Sequence, residues 1–186
     1  METTYLSANL HATLNPSVQP LPSNNIWISC TDNAFEFKEN QVTLPGFVLE
    51  TPGNEVTPEV IKAIQGAQEG GTEYAIHILG HSNCKAILGD QPSDTPTAGD
   101  LIRQNLSKQM GVLVSELARP GYGVSAVQYV VRIEPENFGG LDTQVQTVLR
   151  QDHSAFNDGP NSGFWAWVYE SDGMFHLVYI ASQRQP

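Results

Sequence analysis

Residues Tyr74–Gly89 read YAIHILGHSNCKAILG. An apolar run carries one histidine, reaches Gly-His-Ser-Asn-Cys, and returns at once to apolar residues. A short run of this kind, preceded by the break at Gly70-Gly71, has the pattern of a strand buried on both faces, here Tyr74–Leu79. The segment before it, TPEVIKAIQGAQEGG, is the clearest helix of the chain. Thr57 suits the N-cap and Pro58 the first helical position, while Val60, Ile61 and Ile64 form an apolar face. Further upstream, QVTLPGFVLETPGN holds a Pro-Gly turn, a short strand Phe47–Leu49 and a second turn at Pro52-Gly53, and IWISC (Ile26–Cys30) is another buried strand. Residues 1–25, polar and broken by Pro16, Pro20 and Pro22, read as an extended N-terminal arm.

Downstream, a loop rich in Asp, Thr and Pro (Pro92 to Gly99) leads into a helix over Ala98–Leu117, which Arg119-Pro120-Gly121 breaks. A strand follows at Val124–Ile133 and a short amphipathic helix at Asp142–Arg150. GFWAWVYESDGMFHLVYI then forms a hairpin around Ser171-Asp172-Gly173. This order of elements predicts an α/β fold: a mostly parallel central sheet flanked by helices, closed by a C-terminal antiparallel hairpin. Residues 26–186 read as a single domain, a size that buries a proper core.

Charge narrows the functional classes. Nine basic residues stand against twenty acidic ones, for a net charge of −11, and no arginine precedes Arg103. Nucleic-acid binding needs a basic footprint, and an anionic membrane repels such a chain, so neither partner is expected. No stretch approaches a membrane span, and METTYLSANL lacks the basic and apolar regions of a signal peptide. With two cysteines there is no disulfide framework, and a cytoplasmic setting is the expectation.

Both cysteines close an apolar strand: Cys30 after NIWIS, and Cys84 just past YAIHILG, three residues after His81. In open α/β sheets ligands bind at that edge, and if the two strands are neighbours, Cys30, His81 and Cys84 converge. Two thiolates and an imidazole suit Zn²⁺ in tetrahedral geometry, with a fourth position left for water. The residue types alone leave two other readings open, a pair of buried thiols or a disulfide.

WISCTDNA (Trp27–Ala34) resembles the first metal motif of the β-class carbonic anhydrases, Cys-x-Asp-x-Arg. GHSNCKA (Gly80–Ala86) resembles the second, Gly-His-Ser-x-Cys-Gly-Ala. Between them, Pro45-Gly46 and Gly53-Asn54 match the Pro-Gly and Ala-Gly-Asn turns of that family in the same order. LDTQVQTVLRQ and the GFWAWVYESDGMFHL segment look like its late helix and hairpin. The resemblance runs patchily over residues 26–180. It implies Zn²⁺ on Cys30, His81 and Cys84, with Asp32 either accepting a hydrogen bond from the metal's water or taking the fourth position itself. The implied reaction is that of a lyase, reversible hydration of CO₂ to bicarbonate through zinc-bound hydroxide. The family's intimate dimers imply a homodimer or a dimer-based oligomer, with CO₂ and bicarbonate as the small-molecule partners.

Three positions depart from the family. Its arginine, which holds the aspartate off the metal, is Ala34 here; the glycine after the second cysteine is Lys85; and Glu50 stands where an arginine often precedes the Asn-Ala-Gly-Asn turn. A carboxylate released from its arginine can close the site. The alternative function is therefore a zinc-binding homologue with little or no hydratase activity, kept for structure, bicarbonate binding or interaction. A related hydrolase of COS or CS₂ would use the same chemistry. Of the other histidines, His77 reads as packed or paired in the core, and His11, His153 and His176 have no partner in sequence. Phe164, Trp165, Trp167 and Tyr169 read as hairpin packing.

Overall fold

A computed structural model describes residues 4–7, 25–32, 44, 46–72, 74–118, 120–132, 163–170 and 174–183. Seven strands make one sheet: β1 (Thr4–Ser7), β2 (Asn25–Cys30), β3 (Phe47–Thr51), β4 (Ala75–His81), β5 (Tyr122–Arg132), β6 (Gly163–Tyr169) and β7 (Met174–Gln183). Their spatial order is β1-β5-β7-β6-β4-β2-β3. Pairs β1–β5, β2–β3, β2–β4 and β4–β6 are parallel, and β5–β7 and β6–β7 are antiparallel. The architecture is the expected one: α/β, mostly parallel, with helices α1 (Pro58–Gln68), α2 (Lys85–Leu88) and α3 (Pro96–Leu117). The expected helix at Asp142–Arg150 and the turn Ser171–Gly173 lie outside the described residues. No helix among the described residues is long and apolar enough to cross a membrane.

Local chemistry sets the element boundaries. Thr57 caps α1 by accepting a hydrogen bond from the Val60 N–H, and Pro58 opens the helix without needing a donor. The same Thr-Pro device starts α3 at Pro96, two residues before the expected Ala98, because the Thr95 hydroxyl accepts from the Ala98 N–H at 3.2 Å. Strand β4 runs past Leu79 to His81, since Gly80 and His81 stay in register with Val168 and Tyr169 of β6. Gly46 has a φ of 96°, and a Cβ there would fall 2.2 Å from the backbone oxygen of Asn25. Only glycine lets the chain entering β3 approach the start of β2 so closely.

Every residue of β4 is buried, as a central parallel strand requires. Alternate side chains go to two faces. Ile26, Ile28, Ile76, Ile78, Phe164, Ala166 and Val168 pack with Val60, Ile61 and Ile64 of α1 and with Ile102, Leu106, Met110 and Leu113 of α3. Trp27, His77, Trp165 and Trp167 are the alternate positions of the same strands, and all four are buried. Chain direction places a crevice at one edge of this sheet. After β2 the chain moves outward to β3, returns through α1 to β4 on the other side of β2, and continues away from it. The C-terminal ends of β2 and β4 therefore flank a topological switch point, where α/β sheets leave room for ligands.

Candidate metal centre

Cys30 is the last residue of β2 and His81 the last of β4, and these two strands are hydrogen-bonded neighbours. Cys84 follows a short turn and stands at the N-cap of α2. Asp32 lies in the turn after β2. One potential ligand atom from each of Cys30, Asp32, His81 and Cys84 falls within 4.8 Å of the other three. The cysteines and the histidine are buried, while Asp32 is half-buried. The two sulfurs are 3.5 Å apart. Two thiolates bound about 2.3 Å from one tetrahedral ion sit about 3.8 Å from each other, so the sulfurs need only move slightly apart. Sulfur, imidazole nitrogen and carboxylate oxygen together form a donor set for Zn²⁺, and the four residues fit that ion.

The surroundings of each ligand also suit a cation. The Gly53 N–H donates to Cys30 Sγ at 3.3 Å. Cys30 is held well below the ordinary thiol range, first by the hydrogen bond from Cys84, then by His81 and by the backbone N–H groups of Asp32 and Gly53, against the opposing effect of burial. Cys84 is pushed up, because it shares its proton with the Cys30 sulfur and because burial and that neighbouring charge disfavour a second thiolate. The pair thus holds one proton between two sulfurs, a place that a metal ion takes over. His81 Nδ1 is 2.6 Å from the Asn83 side-chain oxygen. An amide oxygen only accepts, so Nδ1 carries the proton and the lone pair sits on Nε2.

His77 is paired, as its sequence position suggests. Trp167 Nε1 donates to His77 Nδ1 at 3.1 Å, and Nε2 donates to the Asn25 side-chain oxygen at 3.0 Å. The ring stacks on Trp27, with centroids 4.1 Å apart and planes 16° from parallel. His176 lies on β7 and lines a cavity of about 130 Å³ together with Ser82, Ile102, Arg103, Val168 and Glu170. Lys85 is exposed at the first turn of α2, and among the described residues no ion pair joins it to Asp32. Glu50 is exposed on β3, beside Ser29 of β2. Ala34, His11 and His153 lie outside the described residues.

The sequence did not reveal the supporting role of two groups of residues. Asn83 occupies the variable position of Gly-His-Ser-x-Cys, and only its hydrogen bond shows its use. The turn Pro52–Asn54 brings Gly53 to the Cys30 sulfur with a left-handed backbone, φ 64° and ψ 22°. The glycine itself was the available signal for that turn.

No model of a known protein family matches the chain, and no curated protein sequence matches it. Solved structures that align with it include a β-carbonic anhydrase of the filamentous fungus Aspergillus fumigatus, 17% identical over 89% of this chain and 94% of that one, with a TM-score of 0.40. A carbonic anhydrase of Streptococcus mutans is 15% identical over 92% and 90% of the two chains, with a TM-score of 0.43. Tetrameric β-carbonic anhydrases of Sordaria macrospora are 14% identical over 91% and 90%, with a TM-score of 0.37. Likeness at this level bears on neither activity nor ligand, which rest on the chemistry of the four residues.

Proposed function

We propose that this chain is a zinc-dependent lyase of the carbonic anhydrase type, hydrating CO₂ reversibly to bicarbonate, with the metal on Cys30, His81 and Cys84. The observation that carries the reading is the gathering of Cys, Asp, His and Cys donor atoms within 4.8 Å at the β2/β4 crevice. The order of the two metal motifs in the sequence agrees with it. When bound, Zn²⁺ supplies the Lewis acidity that ionises a water near neutral pH. The protein's part is to hold three ligands and leave the fourth side open. Two thiolates give the site negative charge, and Asn83 orients the His81 ring. Asp32, beside the crevice, would accept a hydrogen bond from the metal's water.

A second reading is favoured by one specific observation: the Asp32 carboxylate is within 4.8 Å of the other three ligand atoms, and no described cation holds it away. As a fourth ligand it would close the site and leave a zinc protein with little or no hydratase activity. Stopped-flow CO₂ hydration by the zinc-loaded chain, by Ala34→Arg and by Asp32→Asn separates the two. The wild type is expected to exceed the buffer rate. Ala34→Arg should raise the rate further by pairing with Asp32. If all three carry stoichiometric zinc and none exceeds the buffer rate, the hydratase reading fails; an inactive wild type with an active Asp32→Asn or Ala34→Arg variant would instead support closure by Asp32. The reading brings with it a cytoplasmic homodimer or dimer-based oligomer, checked by light scattering of the purified protein and by cell fractionation.

A further inference from the structure

A chain of side-chain amides runs from α3 to the metal ligand Cys30, and its direction is fixed at both ends by backbone groups. The Val56 N–H donates to Gln109 Oε1 at 2.9 Å. A backbone N–H accepts nothing, so the oxygen of Gln109 must face it and the nitrogen must point the other way. That nitrogen donates to Asn105 Oδ1 at 3.3 Å. Asn105 in turn presents Nδ2 to the Gly53 carbonyl oxygen at 2.7 Å. Gly53 then donates its own N–H to Cys30 Sγ at 3.3 Å. Asn105 and Gln109 sit four residues apart, on one face of the helix, and Gln109 is only 4% exposed. A buried amide in this position costs stability unless both its ends are paired. Both ends are paired, one with each neighbour in the chain.

We infer that Asn105 and Gln109 are positioning residues for the metal centre, holding the left-handed Gly53 so that its N–H stays on the Cys30 sulfur. The inference rests on the proposed metal site. Gly53 has no side chain to anchor it, and its φ of 64° is one of several a glycine adopts freely. A Cβ there would meet only ordinary contacts, Ile87 Cγ1 at 3.5 Å and Ala86 Cβ at 3.6 Å, so sterics alone do not impose this conformation. The 2.7 Å hydrogen bond from Asn105 on its carbonyl restrains it from the helix side. An N–H aimed at a thiolate draws electron density from the sulfur and fixes its direction, and both properties pass to whatever the sulfur binds.

The test uses the full-length chain loaded with Co²⁺ and with Zn²⁺, comparing wild type, Asn105→Leu, Asn105→Asp and Lys108→Ala. Leucine keeps the bulk of Asn105 without a donor, aspartate keeps its shape without a donor, and Lys108 is an exposed residue of the same helix. Both Asn105 variants should bind one ion about tenfold more weakly in chelator competition, at the low end of what supporting partners contribute. Their sulfur-to-cobalt charge-transfer band should move to longer wavelength, because a sulfur relieved of its N–H is more electron-rich. Lys108→Ala should match the wild type in both. Thermal melts of the metal-free forms show whether each variant is folded, and the aspartate variant stands in if the leucine variant is not. Wild-type affinity together with an unmoved band in a folded Asn105 variant would overturn the inference alone. A wild-type chain that binds neither ion would overturn the metal reading, and this inference with it.

Discussion

His77 and His81 lie four residues apart on one strand, yet their partners assign them opposite roles, and substitution should separate them. Replacing His77 by phenylalanine keeps a flat ring of similar size against Trp27, so the stack at 4.1 Å is preserved. The change removes the acceptor for Trp167 Nε1 and the donor for the Asn25 side-chain oxygen. Both groups are buried. Leaving a buried polar group without its partner costs about 1–3 kcal/mol, so the pair should cost roughly 2–6 kcal/mol in the metal-free protein. At this chain length that corresponds to a melting point lower by roughly 4–24 °C. Zinc stoichiometry, measured by atomic emission after gel filtration, should stay at one per chain. His81→Phe should do the reverse, abolishing stoichiometric zinc. A His77→Phe protein as stable as the wild type would show that the Asn25–His77–Trp167 relay contributes nothing. One that is folded but has lost its zinc would place His77 in the metal centre and refute the assignment.

Gly46→Ala drives a Cβ to 2.2 Å from the Asn25 oxygen at a φ of 96°, and should destabilise the protein by about 3 kcal/mol or more in urea denaturation. Gly53→Ala meets only ordinary contacts, so its cost is the left-handed backbone alone, about 1–2 kcal/mol. Gly53→Asn should cost less than Gly53→Ala, because asparagine tolerates that region, and the opposite ranking in urea denaturation would refute the backbone argument. Metal affinity should fall as the pH falls. Cys84 is pushed up by its shared proton and by the Cys30 charge, while Cys30 is already ionised, so binding must release one proton from sulfur. Near neutral pH the dissociation constant for zinc should rise about tenfold per unit of acidification, and an affinity independent of pH in chelator competition would refute this.

The parts legible in the sequence were those with a local physical cause. The continuous apolar run of β4 announced a strand buried on both faces, and the Thr57-Pro58 cap announced α1. Cys30 and Cys84 could be brought together on paper because each closes an apolar strand, His81 coming with Cys84, and the edge of an α/β sheet is where such ends meet. The start of α3 was missed by two residues, although Thr95-Pro96 repeats the signal that located α1. The loop composition around it, dense in Asp, Thr and Pro, masked the cap. Strand β1 pairs in parallel with β5 from within a stretch that reads as an extended arm, and nothing local specifies a partner so distant in the chain. Asn83, Asn105 and Gln109 were invisible for another reason. Amides are common on surfaces and at turns, and only a fold tells which of them pair with groups around the site rather than with water.

The four candidate ligands are not held alike, and that difference bears on what the missing arginine does. Cys30 and His81 are set by strand register, each with a partner of its own in Gly53 and Asn83. Cys84 is set by the start of α2, where its carbonyl accepts from the Leu88 N–H. The backbone of Asp32 is held in the turn after β2, where the Thr31 N–H donates to the Thr51 carbonyl at 3.3 Å and the Asp32 N–H to Cys30, which leaves its side chain as the adjustable part. Moving its carboxylate toward or away from the crevice requires rotation of side-chain torsions, with no strand pairing to break. The other three cannot shift without disturbing the sheet or the helix start. On the proposed reading, Ala34→Arg would therefore act on the ligand whose side chain is cheapest to move. An open and a closed site would, on the same reading, differ chiefly in where the Asp32 carboxylate sits.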